Sequence, residues 1–144
     1  GVSDGSSYAV AVEPVAVSLS TIEANVPTNF NVATAVGNTI GELKFYGQGA
    51  GGDPTANAVV QDIIDCAAAP AGGQQTFSSD LSYNPELLVS DYVFRTQADI
   101  SGGTFWEPGA QLVKNLSAEK ARELLTSALL QDPTTFMAAL EKRN

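Results

Sequence analysis

The residues with the clearest chemical potential lie in one short run, Gly47-Gln48-Gly49-Ala50-Gly51-Gly52, followed by Asp53, Pro54 and Thr55. Glycine accepts positive φ and lets other groups approach the backbone closely. Amides at the start of a helix point outward and favour a negative or polar ligand. Thr55 adds a hydroxyl in the first turn. Gly47, Gly49 and Gly52 satisfy the G-x-G-x-x-G spacing of a dinucleotide-binding turn, a weak signal when taken alone. The context opposes that reading. The helix that follows leads into a loose stretch at 67–75, not promptly into a second parallel strand. No acidic residue closes such a strand at the usual distance, because Asp65 lies on the helix itself. Two readings of the loop stay open. It is a ligand-facing surface, or it is only a tight reversal, for which two glycines would normally suffice where four stand in six positions.

Little other chemistry is available. The chain has no histidine and one cysteine, Cys66, so Ser-His-Asp and Cys-His arrangements cannot be assembled within it. A zinc site would have to rely on carboxylates, which is rare. Cys66 falls on a predicted helix beside an alanine run, where a small packed residue is expected rather than a nucleophile. A lone thiol fits a reducing cytoplasm. The net charge of −9 and the pI near 4.2 disfavour a phosphate backbone as partner, so no nucleic acid is expected. No apolar run reaches the length of a membrane span, and the start lacks the basic region of a signal peptide. The opening Gly1-Val2-Ser3 has no initiator Met, which suggests a fragment.

The elements that must position the loop are partly legible. Residues 8–19 are rich in Val and Ala and read as extended. Pro14 implies an edge position, a bend or two short strands. A polar connection follows at 20–28. In residues 29–36, Phe30, Val32, Thr34 and Val36 alternate onto one face. Gly37-Asn38 supplies a tight turn, and residues 39–46 run back with Leu43 and Phe45 on one side. Asp53 is a good N-cap and Pro54 a good first helical residue. The helix is expected to run to Cys66, with Val59, Val60, Ile63 and Ile64 as its buried stripe.

Farther on, residues 91–97 read as a strand, and 101–109 as a turn or loop belonging to a hairpin. Ser117 caps an amphipathic helix to Gln131, with Ala121, Leu124, Leu125, Ala128 and Leu129 at helical spacing. Asp132-Pro133 restarts a short final helix carrying Phe136, Met137 and Leu140. The expected fold class is α+β, a small and mainly antiparallel β-sheet with helices largely on one face. The expected division is residues 1–70 as one unit and 71–144 as an extension packed on it.

The string from Phe45 through Gly47-Gln48-Gly49-Ala50-Gly51-Gly52-Asp53-Pro54-Thr55-Ala56 to Val59-Val60-Gln61-Asp62-Ile63-Ile64 resembles the C-terminal signature of homoserine dehydrogenases. The preceding hairpin, from Asn31 through Gly41-Glu42-Leu43, is similar to that family's closing strands. The likeness covers roughly residues 29 to 66. It implies an enzyme that interconverts homoserine and aspartate 4-semialdehyde by hydride transfer with NAD or NADP. In such an enzyme this segment would be the end of the substrate domain, returning to a cleft with an upstream Rossmann domain. Gly51 matches the position whose backbone meets the cofactor, and Gly49, Gly52 and Thr55 are implied to shape that contact. A side chain at Gly51 is expected to block the cofactor while leaving the fold mostly intact.

The family's hydride-transfer lysine and its acidic partners lie upstream of the hairpin. Lys44 stands in the wrong place for that role, so no catalytic residue and no metal ligand is assigned here. A His-containing loop often found before the hairpin is missing from 20–28, and an apolar residue often stands where Asp53 does. Pairing through substrate domains makes a homodimer possible. The competing reading is a free-standing small-ligand-binding or regulatory module without catalysis. Residues 76–144 follow no regulatory pattern: a full ACT module needs two βαβ halves, and only one strand and two helices are read there.

Overall fold

The computed structural model of the chain describes residues 1–68 and 80–141. In chain order its elements are β1 (Val2–Ser3), β2 (Ser7–Ala9), β3 (Val15–Ala16), β4 (Phe30–Gly37), β5 (Gly41–Gln48), α1 (Gly52–Ala68), β6 (Ser82–Tyr83), β7 (Val89–Arg95), β8 (Thr104–Glu107), β9 (Ala110–Ser117), α2 (Ala118–Leu129) and β10 (Phe136–Leu140). Short 3-10 turns occupy Glu23–Asn25 and Pro85–Leu87. The architecture is α+β, with mostly antiparallel sheets and, among the described residues, two α-helices. Two compact units result: Gly1–Ser18 joined with the described residues from 80 onward, and the segment from Leu19 through α1. This differs from a division near residue 70. Isolated short strands leave backbone groups unpaired, and β2 and β3 satisfy theirs on β6 and β10 from the far end of the chain.

The first unit is built on a five-stranded sheet of order β3-β10-β7-β9-β8, antiparallel except for the β3–β10 pair. Its register puts Tyr92 opposite Val113 and Ala139, and Phe94 opposite Met137, on one face. Ala121 and Ala128 of α2, both buried, let that helix lie close over this face, with Leu124 and Leu125 filling in beside them. Ser117 caps α2 as its sequence predicts, its hydroxyl accepting from the Lys120 amide. Full burial of one side chain of Phe94's size contributes about 1.5–3 kcal/mol.

The strand reading of residues 91–97 is borne out by β7, and Pro14 does separate two short strands, β2 and β3. The final helix is not there. Residues 136–140 form β10, a central strand buried over Met137, Ala138 and Ala139. A short apolar run has the same composition whether it is a buried strand or a buried helix. Five residues also lack the length to offset helix nucleation. The sequence reading also missed β9, and within 101–109 the residues 104–107 form β8, which makes a hairpin with β9.

With four strands, residues 89–140 contain two interleaved crossovers. β9 and β10 flank β7 and are joined by α2, whereas β7 and β8 flank β9 and are joined by residues 96–103 without a helix. That connection closes the core itself by burying Ala98 and Ile100. Gln111 holds it from β9, accepting from the Ile100 amide at 3.1 Å and donating to the Ala98 carbonyl at 2.7 Å.

In the second unit the alternation of residues 29–48 gives the expected hairpin, with Val32 opposite Tyr46 and Thr34 opposite Lys44. The turn is one residue longer than Gly37-Asn38 suggests. Gly37 pairs with Gly41, and it is Gly41 that takes the positive φ of 67°. Phe30 stacks on Tyr46 with ring centroids 5.0 Å apart. Lys44 Nζ donates to the Glu23 carboxylate and to Thr34 Oγ1, and pairs with Glu42 at 3.1 Å, fastening the 3-10 turn to the hairpin. The expected burial of α1 does not occur: the helix has no buried residue, and Val59, Val60, Ile63 and Ile64 are each more than half exposed. Cys66 is exposed as well, not packed. The stripe is apolar as predicted, but none of the residues described in this chain covers it.

Candidate functional site

The glycine loop leaves the end of β5 and enters α1 within four residues. Its first anchor is the pairing of the Gly49 amide with the Asn29 carbonyl at 2.9 Å. The Asn29 side chain then donates from Nδ2 to the Ala50 carbonyl at 3.0 Å. Asn31 lies against Gly49 so closely that a Cβ there would sit 1.7 Å from Asn31 Nδ2. A side chain at Gly49 would therefore have to push the Asn31 amide aside.

Gly51 is required by its backbone. Its φ is +123°, a region that side chains rarely adopt. Its carbonyl accepts from the Thr55 amide at 3.2 Å, the first hydrogen bond of the helix. Gly51 is thus the residue at the helix mouth, and Asp53, read from sequence as the N-cap, lies inside the first turn. Substitution at Gly51 would strain the loop whether or not any ligand is bound. Gly52 differs from both. A Cβ on Gly52 meets nothing within 4 Å.

Gly49, Gly51, Gly52 and Thr55 are all exposed on this one turn, and the Thr55 hydroxyl has no partner among the described residues. The loop carries no basic residue. The Asp53 carboxylate offsets the positive end of the helix dipole. Beside the loop, a shallow depression of about 760 Å³ runs along the hairpin, lined by Phe30, Tyr46, Gly47 and Gly49 among others. Lys44 is engaged with Glu23 and Thr34 and is not part of the turn. No cluster of potential metal ligands occurs among the described residues. Asn29 and Asn31, which shape the loop, escaped the sequence reading; their only signal is their position on either side of Phe30 where the alternation begins.

Residues 3–64, which contain the hairpin and the whole glycine loop, match the family model described as homoserine dehydrogenase. This segment is of the homoserine dehydrogenase family. Homoserine dehydrogenase from Neisseria gonorrhoeae is 32% identical over 127 residues, covering 80% of this chain and 29% of that protein. Homoserine dehydrogenase from Helicobacter pylori is 39% identical over 129 residues, covering 79% of this chain and 31% of that protein. A homoserine dehydrogenase from Thiobacillus denitrificans has a similar fold, with a TM-score of 0.58 at 17% identity, covering 95% of this chain and 40% of that structure. The chain spans under a third of the length of these two sequence relatives. Similarity to them runs well past the loop and its helix, into the region of the five-stranded sheet.

Proposed function

We propose that this chain is the C-terminal portion of an NAD(P)-dependent homoserine dehydrogenase, and that its own contribution is a bare stretch of backbone facing the cofactor. The observation that carries this reading is the open space over Gly52. Gly51 has an internal reason to be glycine in its backbone angle, a side chain at Gly49 would have to displace Asn31, and Gly52 has no such reason. A backbone left uncovered at a helix start, on a loop held by Asn29, suits the close approach of a flat ligand group. The Asp53 carboxylate disfavours a pyrophosphate at this helix end, so the fit is to the nicotinamide–ribose part, whose ring is cationic when oxidised and neutral when reduced. Thr55 offers a free hydroxyl to the same group.

When bound in the intact enzyme, the nicotinamide would supply the hydride acceptor that converts homoserine to aspartate 4-semialdehyde, or the hydride donor in the reverse direction. The residues of this chain position and enclose it, and the lysine and carboxylates that handle the substrate belong to the upstream part. The uncovered stripe of α1 supports a partner surface within that larger protein, and pairing of substrate domains would make it a homodimer. A reducing cytoplasm suits the exposed Cys66.

Gly52→Val in the intact enzyme tests the reading, because the new side chain meets nothing inside this segment. The expected result is a KM for the nicotinamide cofactor raised about tenfold or more, the factor that goes with ~1.4 kcal/mol of lost contact. The KM for homoserine should change little. Unaltered cofactor kinetics would defeat the proposal.

A further inference from the structure

One peptide of the glycine loop takes its direction from a side chain outside the loop. The Ala50 carbonyl accepts from Asn29 Nδ2 at 3.0 Å. The peptide joining Ala50 to Gly51 is trans, and in a trans peptide the C=O and the N–H point opposite ways. With its oxygen turned towards Asn29, this peptide directs the Gly51 N–H away from Asn29. That N–H has no partner among the described residues, and Gly51 is exposed. The loop thus carries an unused donor next to the uncovered backbone of Gly52.

Among the described residues Asn29 is alone in holding this peptide. The bonds on either side, from the Gly49 amide to the Asn29 carbonyl and from the Thr55 amide to the Gly51 carbonyl, belong to neighbouring peptides. Gly51 stands at φ +123°. Turning the Ala50–Gly51 peptide over by about half a turn would bring Gly51 to negative φ, where helical residues ordinarily lie. No Cβ at Gly51 opposes that rotation. The N–H would then point to the side on which Asn29 lies.

The Asn29 amide is itself fixed at both ends. A carbonyl can only accept, so the Nδ2 end must face Ala50. The Oδ1 end accepts the Thr28 hydroxyl at 3.2 Å. Thr28 has φ +36°, a conformation that is uncommon for a β-branched residue. Strain of this kind persists where the surroundings impose it, and it gathers at functional sites.

We propose that Asn29 is a positioning residue for the cofactor. It holds the Ala50–Gly51 peptide in the orientation that presents the Gly51 N–H to an acceptor oxygen of the nicotinamide–ribose part. This rests on the reading of the loop as cofactor-facing, and it assigns the direction of the contact to a residue that acts through the loop.

Asn29→Ala, measured in the intact enzyme beside Gly52→Val, tests the proposal. The KM for the nicotinamide cofactor is expected to rise about tenfold in Asn29→Ala. Its kcat and its KM for homoserine should stay near those of the parent, the split that follows when a binding contact common to ground and transition states is lost. Asn29 is exposed, so Tm should stay close to the parent value. In the 144-residue chain, NMR couplings between the Gly51 amide and α protons report φ, which should turn from positive to negative in the variant. Retention of positive φ at Gly51 would overturn the proposal. Cofactor kinetics that respond to Gly52→Val but not to Asn29→Ala would also overturn it and leave the reading of the loop standing. Indifference to both variants would overturn the two together.

Discussion

The Asp132 carboxylate accepts the backbone N–H of Gln97 at 2.8 Å, which ties the turn before β10 to the connection after β7. The same side chain takes the amide and hydroxyl of Thr134 at 2.9 and 2.7 Å and the Thr96 hydroxyl at 3.2 Å. A connection that lacks a helix is held at its start by this carboxylate and farther along by Gln111.

These donors, the Gln97 amide foremost, lower the Asp132 pKa to about 2. Unfolded, the group titrates near ~3.9. A folded pKa below the unfolded one gives stability that is fully present above the unfolded value and is lost as pH falls through the folded one. The loss should therefore fall between about pH 4 and about pH 2. Asp132→Asn is expected to lower Tm at neutral pH and to flatten this part of the Tm–pH curve. Equal acid sensitivity in variant and parent would show that another carboxylate is responsible.

Glu23 should titrate in the same range for a different reason. The Lys44 ammonium, followed by the Thr34 hydroxyl, lowers its pKa to about 2. Carbon-detected NMR of the Glu23 carboxyl is expected to find that midpoint, and Lys44→Met should return it towards the ordinary glutamate range. An unmoved midpoint in the variant would mean that the network does not persist in solution.

Phe94 is fully buried at the centre of the sheet. Phe94→Ala should cost roughly 3–5 kcal/mol through lost burial and the cavity left behind. Chemical denaturation measures it, and a loss below ~1 kcal/mol would argue that the face under α2 is loosely packed.

The stripe on α1 should behave in the opposite way. Ile63→Ser removes a residue that is 63% exposed, so the unfolding midpoint of this chain should hardly move. Its solubility should rise, since a contiguous apolar face promotes association. In the intact enzyme the same change is expected to be destabilising, and a neutral effect there would mean that the stripe stays uncovered.

No turnover of homoserine with NAD or NADP is expected from this chain alone, because the groups that handle the substrate are assigned upstream. Reduced cofactor appearing in a spectrophotometric assay of the purified chain would reveal catalytic residues on the described surface.

The sequence was most informative where a local pattern determines the structure by itself. The hairpin was legible because Phe30, Val32, Thr34 and Val36 alternate, and α2 because Ser117 precedes a helical row. β10 was misread because Phe136 to Leu140 is buried among neighbours, and an unbroken apolar run has no period to read. The burial of α1 was misjudged for a related reason: periodicity shows which face is apolar, not whether anything covers it. At the glycine loop the sequence located the turn but could not rank its glycines. That ranking depends on Asn31 lying against Gly49 and on the backbone angle at Gly51, neither of which leaves a mark in residue spacing.

Val15 of β3 pairs with Ala139 of β10. During synthesis on a ribosome, the early strand must wait for more than a hundred further residues before its partner exists. The hairpin at 30–48 needs no such delay, and its two strands can close within microseconds of emerging. The β3 edge of the five-stranded sheet is consequently completed only when β10 has emerged, and until then Val15 and Ala16 lack the strand that pairs with them.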